Sequence, residues 1–166
     1  ALIKIEEKYN IRNDIVVMVQ GDEPMTHPDM INEAVKPMIE NKDIEVINLK
    51  GDIENLEEFN DPNCIKVVCD NEDNALYFSR QPIPNNKLLE SINFKKQVCI
   101  IPFKREFLIE YTKLSPTFLE IAESIDMLRV LEHGKKVRMI PTKFKSYAVD
   151  TKEDLKKVEK IMNSKK

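Results

Sequence analysis

The chain has 166 residues, 42% hydrophobic and 33% charged, enough for one α/β-sized domain (1–166) with a substantial core and too few for two. A net charge of −3 gives no global basic field, which argues against a nucleic-acid partner. No apolar run nears the ~20 residues of a bilayer span, so no membrane partner is expected.

Residues 2–9 carry an amphipathic helical pattern. Residues 15–19 (IVVMV) are unbroken and Val/Ile-rich, which predicts a fully buried strand. Thr26 and Asp29 have the spacing of a capping box for a helix in which Met30, Ala34 and Met38 recur, with Pro37 placed to bend or end it. Residues 45–49 read as a short strand. Residues 64–69 and 75–79 read as a strand pair joined by the polar turn DNEDN. Residues 97–103 form an apolar strand and 104–113 a helix. Ser115 and Pro116 supply an N-cap and a first-turn proline for a helix reaching about Glu132, which Gly134 closes. Residues 137–140 read as a strand. Thr151 and Asp154 make a second capping box for a final helix with Leu155, Val158 and Ile161 or Met162 inward. Residues 163–166 form a solvated tail. This alternation predicts an α/β fold with a mostly parallel sheet and flanking helices. Cys64, Cys69 and Cys99 are three, so they cannot all pair within the chain; they are read as buried, reduced thiols of a cytoplasmic protein.

Residues 15–24 (IVVMVQGDEP) end an apolar strand in Gln20 and Asp22. In open α/β sheets the ligand crevice lies beyond the carboxyl ends of the strands. Residues 147–150 (YAVD) repeat the device, ending in Asp150 just before a helix. Two carboxylates delivered from separate segments suit a shared hard cation such as Mg²⁺, which takes one or two protein carboxylates plus water and phosphate oxygens. Each residue also has a plainer reading: a loop acid or cap for Asp22 and Asp150, a surface ion pair for Arg80, an exposed helix acid for Glu123, a loop contact for Gln20. His27 and His133 lie far apart and form no ligand-spaced cluster.

VQGDEP, then ALYFSRQPIP at 75–84, SPTFLEIAESIDMLRVLEHG at 115–134 and VDTKEDL at 149–155 occur in this order. Together they resemble the 3-deoxy-manno-octulosonate (Kdo) cytidylyltransferases over nearly the whole chain. The resemblance implies a nucleotide-diphospho-sugar transferase-like (Rossmann-like) fold and a homodimer. It also implies an Mg²⁺-dependent reaction of CTP with a sugar acid, giving a CMP-sugar and pyrophosphate for surface-glycan precursors. Carried onto this chain, Asp22 and Asp150 match the metal-binding aspartates, and Gln20 a glutamine near the sugar acid. Arg80 matches an arginine at the substrate site, where a guanidinium suits a carboxylate. Glu123 matches an acid that binds sugar hydroxyls. A non-catalytic sugar-binding or dimerisation remnant of the same fold, or an enzyme for another nonulosonic-type sugar, is the alternative.

Two departures accompany the resemblance. The family opens with a strand and a phosphate-cradling loop that nothing here matches, so the chain is expected to be N-terminally incomplete. In the strand 97–103, Gln97, Ile101 and Phe103 stand where the family has a His and two Tyr, and Met127 stands for a sugar-binding Gln. Such losses of hydrogen-bonding groups shift specificity, so an amino or deoxy variant of Kdo is the expected substrate class, with Gln97 among the substrate-binding residues.

Overall fold

In the structure, a computed structural model that describes residues 1–85 and 93–164, helices and strands alternate. In chain order they are α1 (Leu2–Tyr9), β1 (Ile15–Val19), α2 (Pro28–Glu40), β2 (Ile47–Asp52), α3 (Leu56–Asn60), β3 (Lys66–Cys69) and β4 (Ala75–Ser79), followed by β5 (Lys95–Val98), β6 (Ile100–Lys104), α4 (Arg105–Tyr111), α5 (Phe118–Glu123), α6 (Met127–Glu132), β7 (Arg138–Pro141) and α7 (Lys152–Ser164). Lys165 and Lys166 of the expected solvated tail lie outside the described residues.

The strands form a five-stranded sheet, β4-β3-β5-β2-β7, and a two-stranded one, β1-β6. The α/β class is as expected, but the sheet is mixed rather than mostly parallel. Among the described residues only β2 and β7 pair in parallel, with Ile47 opposite Arg138; every other strand pair is antiparallel. For β3 and β4 the reason is connection length. A parallel return needs a crossover of a dozen or more residues, whereas β3 and β4 are joined by Asp70–Asn74 alone, a turn closed by Asp70 N–H to Asn74 O at 2.8 Å.

The strand expected over 97–103 breaks at Cys99. On one side β5 pairs with β2 and β3; on the other β6 pairs with β1. The bridge between Val46 and Phe103, and the hydrogen bond from Lys104 N–H to Glu45 O at 2.8 Å, join the two sheets. β1 is less buried than its composition predicts, and Val19 is 41% exposed. Among the described residues it pairs on one side only, so part of its surface stays open.

The core falls into two groups. Met30, Ala34 and Met38, the stripe of α2, pack with Ile47, Leu49, Val98 and Ile100. Phe78, Phe103, Phe107, Met127, Leu128, Val130 and Met139 form the other, closed by α4 and α6. His27, not Thr26, heads α2: its Nδ1 accepts from Asp29 N–H at 3.2 Å and its ring stacks on Phe144 at 4.5 Å. Thr26 Oγ instead donates to Glu23 O at 2.9 Å. Pro37 falls near the end of α2, which still runs to Glu40.

The long helix expected from 115 to 132 is two short ones. Ser124 is in the left-handed region at φ 56°. The carbonyls of Glu123 and Ser124 accept from the Arg80 guanidinium at 2.7 and 3.2 Å, a tertiary contact that outcompetes helix continuation. Gly134, at φ +72°, follows α6 as expected. α7 begins with the reciprocal pair Thr151 N–H to Asp154 Oδ2 (2.9 Å) and Asp154 N–H to Thr151 Oγ (3.1 Å). Of its expected inner stripe, Val158 is buried while Leu155 and Met162 are 47% and 48% exposed.

Candidate active site

β1 ends at Val19 and carries Gln20 to the break between β5 and β6, where Gln20 N–H meets Cys99 O at 3.4 Å. The chain then turns, with Glu23 N–H donating to Gln20 O at 3.3 Å. This turn leaves the carbonyl of Asp22 to accept from Val149 N–H at 2.9 Å. The contact pins the stretch after β7 beside the end of β1, one residue before Asp150. Residues 22 and 150 therefore meet through the backbone before any ligand is considered.

A cavity of about 170 Å³ opens there, and its wall includes Gln20, Asp22, Arg80, Gln97 and Asp150. Its apolar part comes from Met18, Ile65, Ile101 and Ile125. A larger neighbouring cavity of about 470 Å³ runs toward α7 and shares the wall at Glu23, Gln97, Cys99 and Asp150. Glu123 is the sixth expected site residue, and it stands behind the wall. Its Oε1 accepts from Ser79 Oγ at 2.8 Å and Tyr77 OH at 3.3 Å; its Oε2 accepts from Arg80 N–H at 2.8 Å. Burial pushes its carboxyl up, but these donors outweigh burial and leave it below the usual range.

The charge in the cavity is uncompensated in two ways. Asp22 Oδ1 is buried without a hydrogen-bond partner, a costly state for an acceptor in the ligand-free chain. The Asp150 carboxyl lies above its ordinary value, first through burial and next through the negative charge of Asp22. On the cationic side, Arg80 spends its guanidinium on carbonyls: Nε on Glu123 O at 2.7 Å, Nη1 on Pro62 O at 3.0 Å and Nη2 on Ser124 O at 3.2 Å. Among the described residues no carboxylate pairs with it directly, so its charge remains for an anion.

Both unmatched features fit a divalent cation held between the aspartates. Among the described residues no group of three or more His, Cys, Asp or Glu is placed to hold a metal; the carboxylates come as a pair, the number that Mg²⁺ commonly takes from protein. Cys99 lies in the same wall, where burial and then the charges of Glu23 and Asp22 push its thiol up to about 12. It is protonated at neutral pH and is no nucleophile. All three cysteines are free, as expected, but half-buried rather than buried.

Sequence reasoning missed Glu23, Asn63, Ser124 and Asp126, which also line the smaller cavity. Glu23 adjoins the QGD motif and had a signal: it is buried, bonded to Ser146 Oγ, and raised in pKa by burial. The others arrive through tertiary packing, with no spacing to betray them. Of the four departures from the family pattern, Gln97 and Ile101 line the cavity, whereas Phe103 and Met127 lie in the core, 2% and 1% exposed.

The cytidylyltransferase family model matches residues 1–137 of the chain. The chain belongs to the cytidylyltransferase family. It is 43% identical over 157 residues to the 3-deoxy-manno-octulosonate cytidylyltransferase of Geotalea uraniireducens, covering 88% of this chain and 62% of that protein. To the same-named protein of Fusobacterium nucleatum it is 43% identical over 145 residues, covering 87% and 59%. The chain thus spans less than two thirds of these curated relatives' length. A solved structure of CMP:2-keto-3-deoxy-manno-octonic acid synthetase complexed with CTP superposes with a TM-score of 0.86 at 31% identity, covering 99% of this chain and 67% of that one. The chain therefore has the nucleotidyltransferase-like fold expected for it.

Proposed function

We propose that this cytidylyltransferase, as part of its whole protein, transfers CMP from CTP to the anomeric hydroxyl of a 3-deoxy-manno-octulosonate-type sugar acid, with Mg²⁺, releasing pyrophosphate. The observation that carries this reading is the convergence of Asp22 and Asp150 on one cavity, with Asp22 Oδ1 buried and unpartnered. Phosphoryl transfer asks a protein mainly for positioning and charge neutralisation, and the residues present divide that work. Asp22 and Asp150 would hold Mg²⁺, which when bound neutralises phosphate charge and orients the attacking oxygen. Arg80 receives the sugar carboxylate on a guanidinium already locked in plane by three carbonyls. Glu123 positions Arg80 from behind. Gln20 and Gln97 offer hydrogen bonds to the sugar, and the apolar wall excludes water from the attacking side.

The experiment is pyrophosphate release from CTP by the encoded protein, with Mg²⁺ and the sugar acid, in wild-type, Asp22→Asn and Asp150→Asn forms. The expected outcome is release by the wild type and a loss of roughly a hundredfold or more in either variant. Unchanged rates in both variants would overturn the metal assignment. Sugar-acid binding with no pyrophosphate from any form would support a non-catalytic, sugar-binding member instead. We further propose a cytoplasmic homodimer. The free cysteines support the compartment, and Phe118 and Ile121, 78% and 70% exposed on α5, support a second copy. Light scattering of the purified protein reads the oligomeric state, and a monomer mass removes the dimer.

A further inference from the structure

Gln97 is the polar one of the two departures that line the cavity, and its orientation is fixed by a neighbour that never touches solvent. Asn48, on β2, is 0% exposed. Its side-chain amide donates to Leu49 O at 2.9 Å and to Val98 O at 2.8 Å. A carbonyl can only accept, so the end of Asn48 that faces these two oxygens must be its NH₂. Asn48 Oδ1 therefore points the other way, toward Gln97, at 2.6 Å from Gln97 Nε2. An acceptor on Asn48 demands a donor on Gln97. One N–H of the Gln97 amide is thereby committed to Asn48, which fixes the amide's orientation and with it the place of the carbonyl oxygen, Oε1, the acceptor this side chain can offer the cavity.

We infer that Gln97 is a specificity-determining acceptor that reads one hydrogen-bond donor on the sugar acid, and that Asn48 is the positioning residue that sets this polarity. The inference rests on the sugar-acid reading above and deepens it. Three consequences follow from the chemistry. A free glutamine could flip its amide and exchange donor for acceptor; one anchored on Asn48 keeps Oε1 in one place. The ligand group it meets must be a hydroxyl or an amino group, not a carbonyl, an ether or a carboxylate. Removing that group leaves Oε1 facing nothing, and a site built to hydrogen-bond a substrate group discriminates against the analogue that lacks it. The anchor also explains how a polar residue can sit inside the apolar core layer at Asn48. All its hydrogen-bonding groups are matched by Leu49, Val98 and Gln97, so its burial costs little.

The test uses the whole 166-residue chain and calorimetric binding of 3-deoxy-manno-octulosonate and its monodeoxy analogues at positions 4, 5, 7 and 8. The wild type should lose about tenfold in affinity for one of these analogues, the worth of one good hydrogen bond. Gln97→Met should bind that analogue and the parent acid equally. Asn48→Leu should also erase the preference, because Gln97 is then free to turn. If Asn48→Leu fails to fold, carbon and nitrogen NMR of the wild type replaces it. On adding the acid, the Gln97 side-chain carbonyl signal should shift while its amide protons stay protected. A merely structural role for Asn48 would lower stability and leave the ratio between parent and analogue untouched. That result, or an amide signal that moves in place of the carbonyl, overturns the inference while leaving the sugar-acid reading intact. Failure of the wild type to bind any of these acids overturns both.

Discussion

At the scale of single residues, the cavity is tuned against the stability of the ligand-free chain. The Asp150 carboxyl is raised, so the folded chain holds that proton more tightly than the unfolded chain does. The stability tied to this group is full below the unfolded pKa and is lost as pH rises through the folded one. At pH 7 the folded chain therefore bears a penalty that Asp150→Asn removes. Asp150 is exposed, so solvent screening keeps the gain to a small rise in Tm. Melting curves at pH 7 and pH 3 check this: the gain should appear at the first and vanish at the second. Glu123 works in the opposite sense. Its carboxylate satisfies Ser79, Tyr77 and the backbone of Arg80. Glu123→Gln puts an amide where acceptors are needed. It should cost about 1–3 kcal/mol of stability and raise KM for the sugar acid more than KM for CTP. Equal effects on both substrates would refute the assignment of Glu123 as the support of Arg80.

At the scale of elements, the legible features were those with local causes. The head of α7 could be read because Thr151 and Asp154 are three residues apart and bond only to each other. Thr151→Ala should cost the cap about 1 kcal/mol. With Val158 the one apolar side chain of α7 that is well buried, that loss should show as faster amide exchange confined to α7. The break at Ser124 was illegible because its cause lies 44 residues away, in the Arg80 side chain that claims the Ser124 carbonyl. A serine at φ 56° is strained where glycine is not. Ser124→Gly keeps the backbone contact and should be neutral to stabilising by about 0.5–1 kcal/mol, measured by urea unfolding. A clear destabilisation would mean that the Ser124 side chain carries weight not seen in its contacts. The break at Cys99 is of the same kind. Seven residues of one apolar pattern concealed a change of partner, from β2 and β3 to β1.

At the scale of the whole molecule, the α/β class and the place of Asp22 at a strand end followed from patterns in the sequence, whereas Asp150 reaches the cavity otherwise than expected, from a stretch without regular structure beyond β7 that Val149 N–H to Asp22 O holds in place. Nor did the direction of the strands follow. Apolar runs specify a buried strand but not its partner, and it is the short turn at Asp70–Asn74 that forces an antiparallel return. The Asn48–Gln97 pair, 49 residues apart, was equally hidden, since an asparagine within an apolar strand signals nothing until its neighbours are known.

The stretch 142–150 is tied to the body at Thr142, Phe144 and Ser146 by Lys50 O, the His27 ring and Glu23, but its far end rests on the link from Val149 N–H to Asp22 O, which has a thermal consequence. Residues 142–150 have no regular structure, and the helix that follows is lightly anchored. Warming should free this end, residues 147–150, while the strands remain paired, carrying one of the two acids away with it. The protein should then be cut first by protease between residues 147 and 150, at a temperature several degrees short of its melting point, and resist again on cooling.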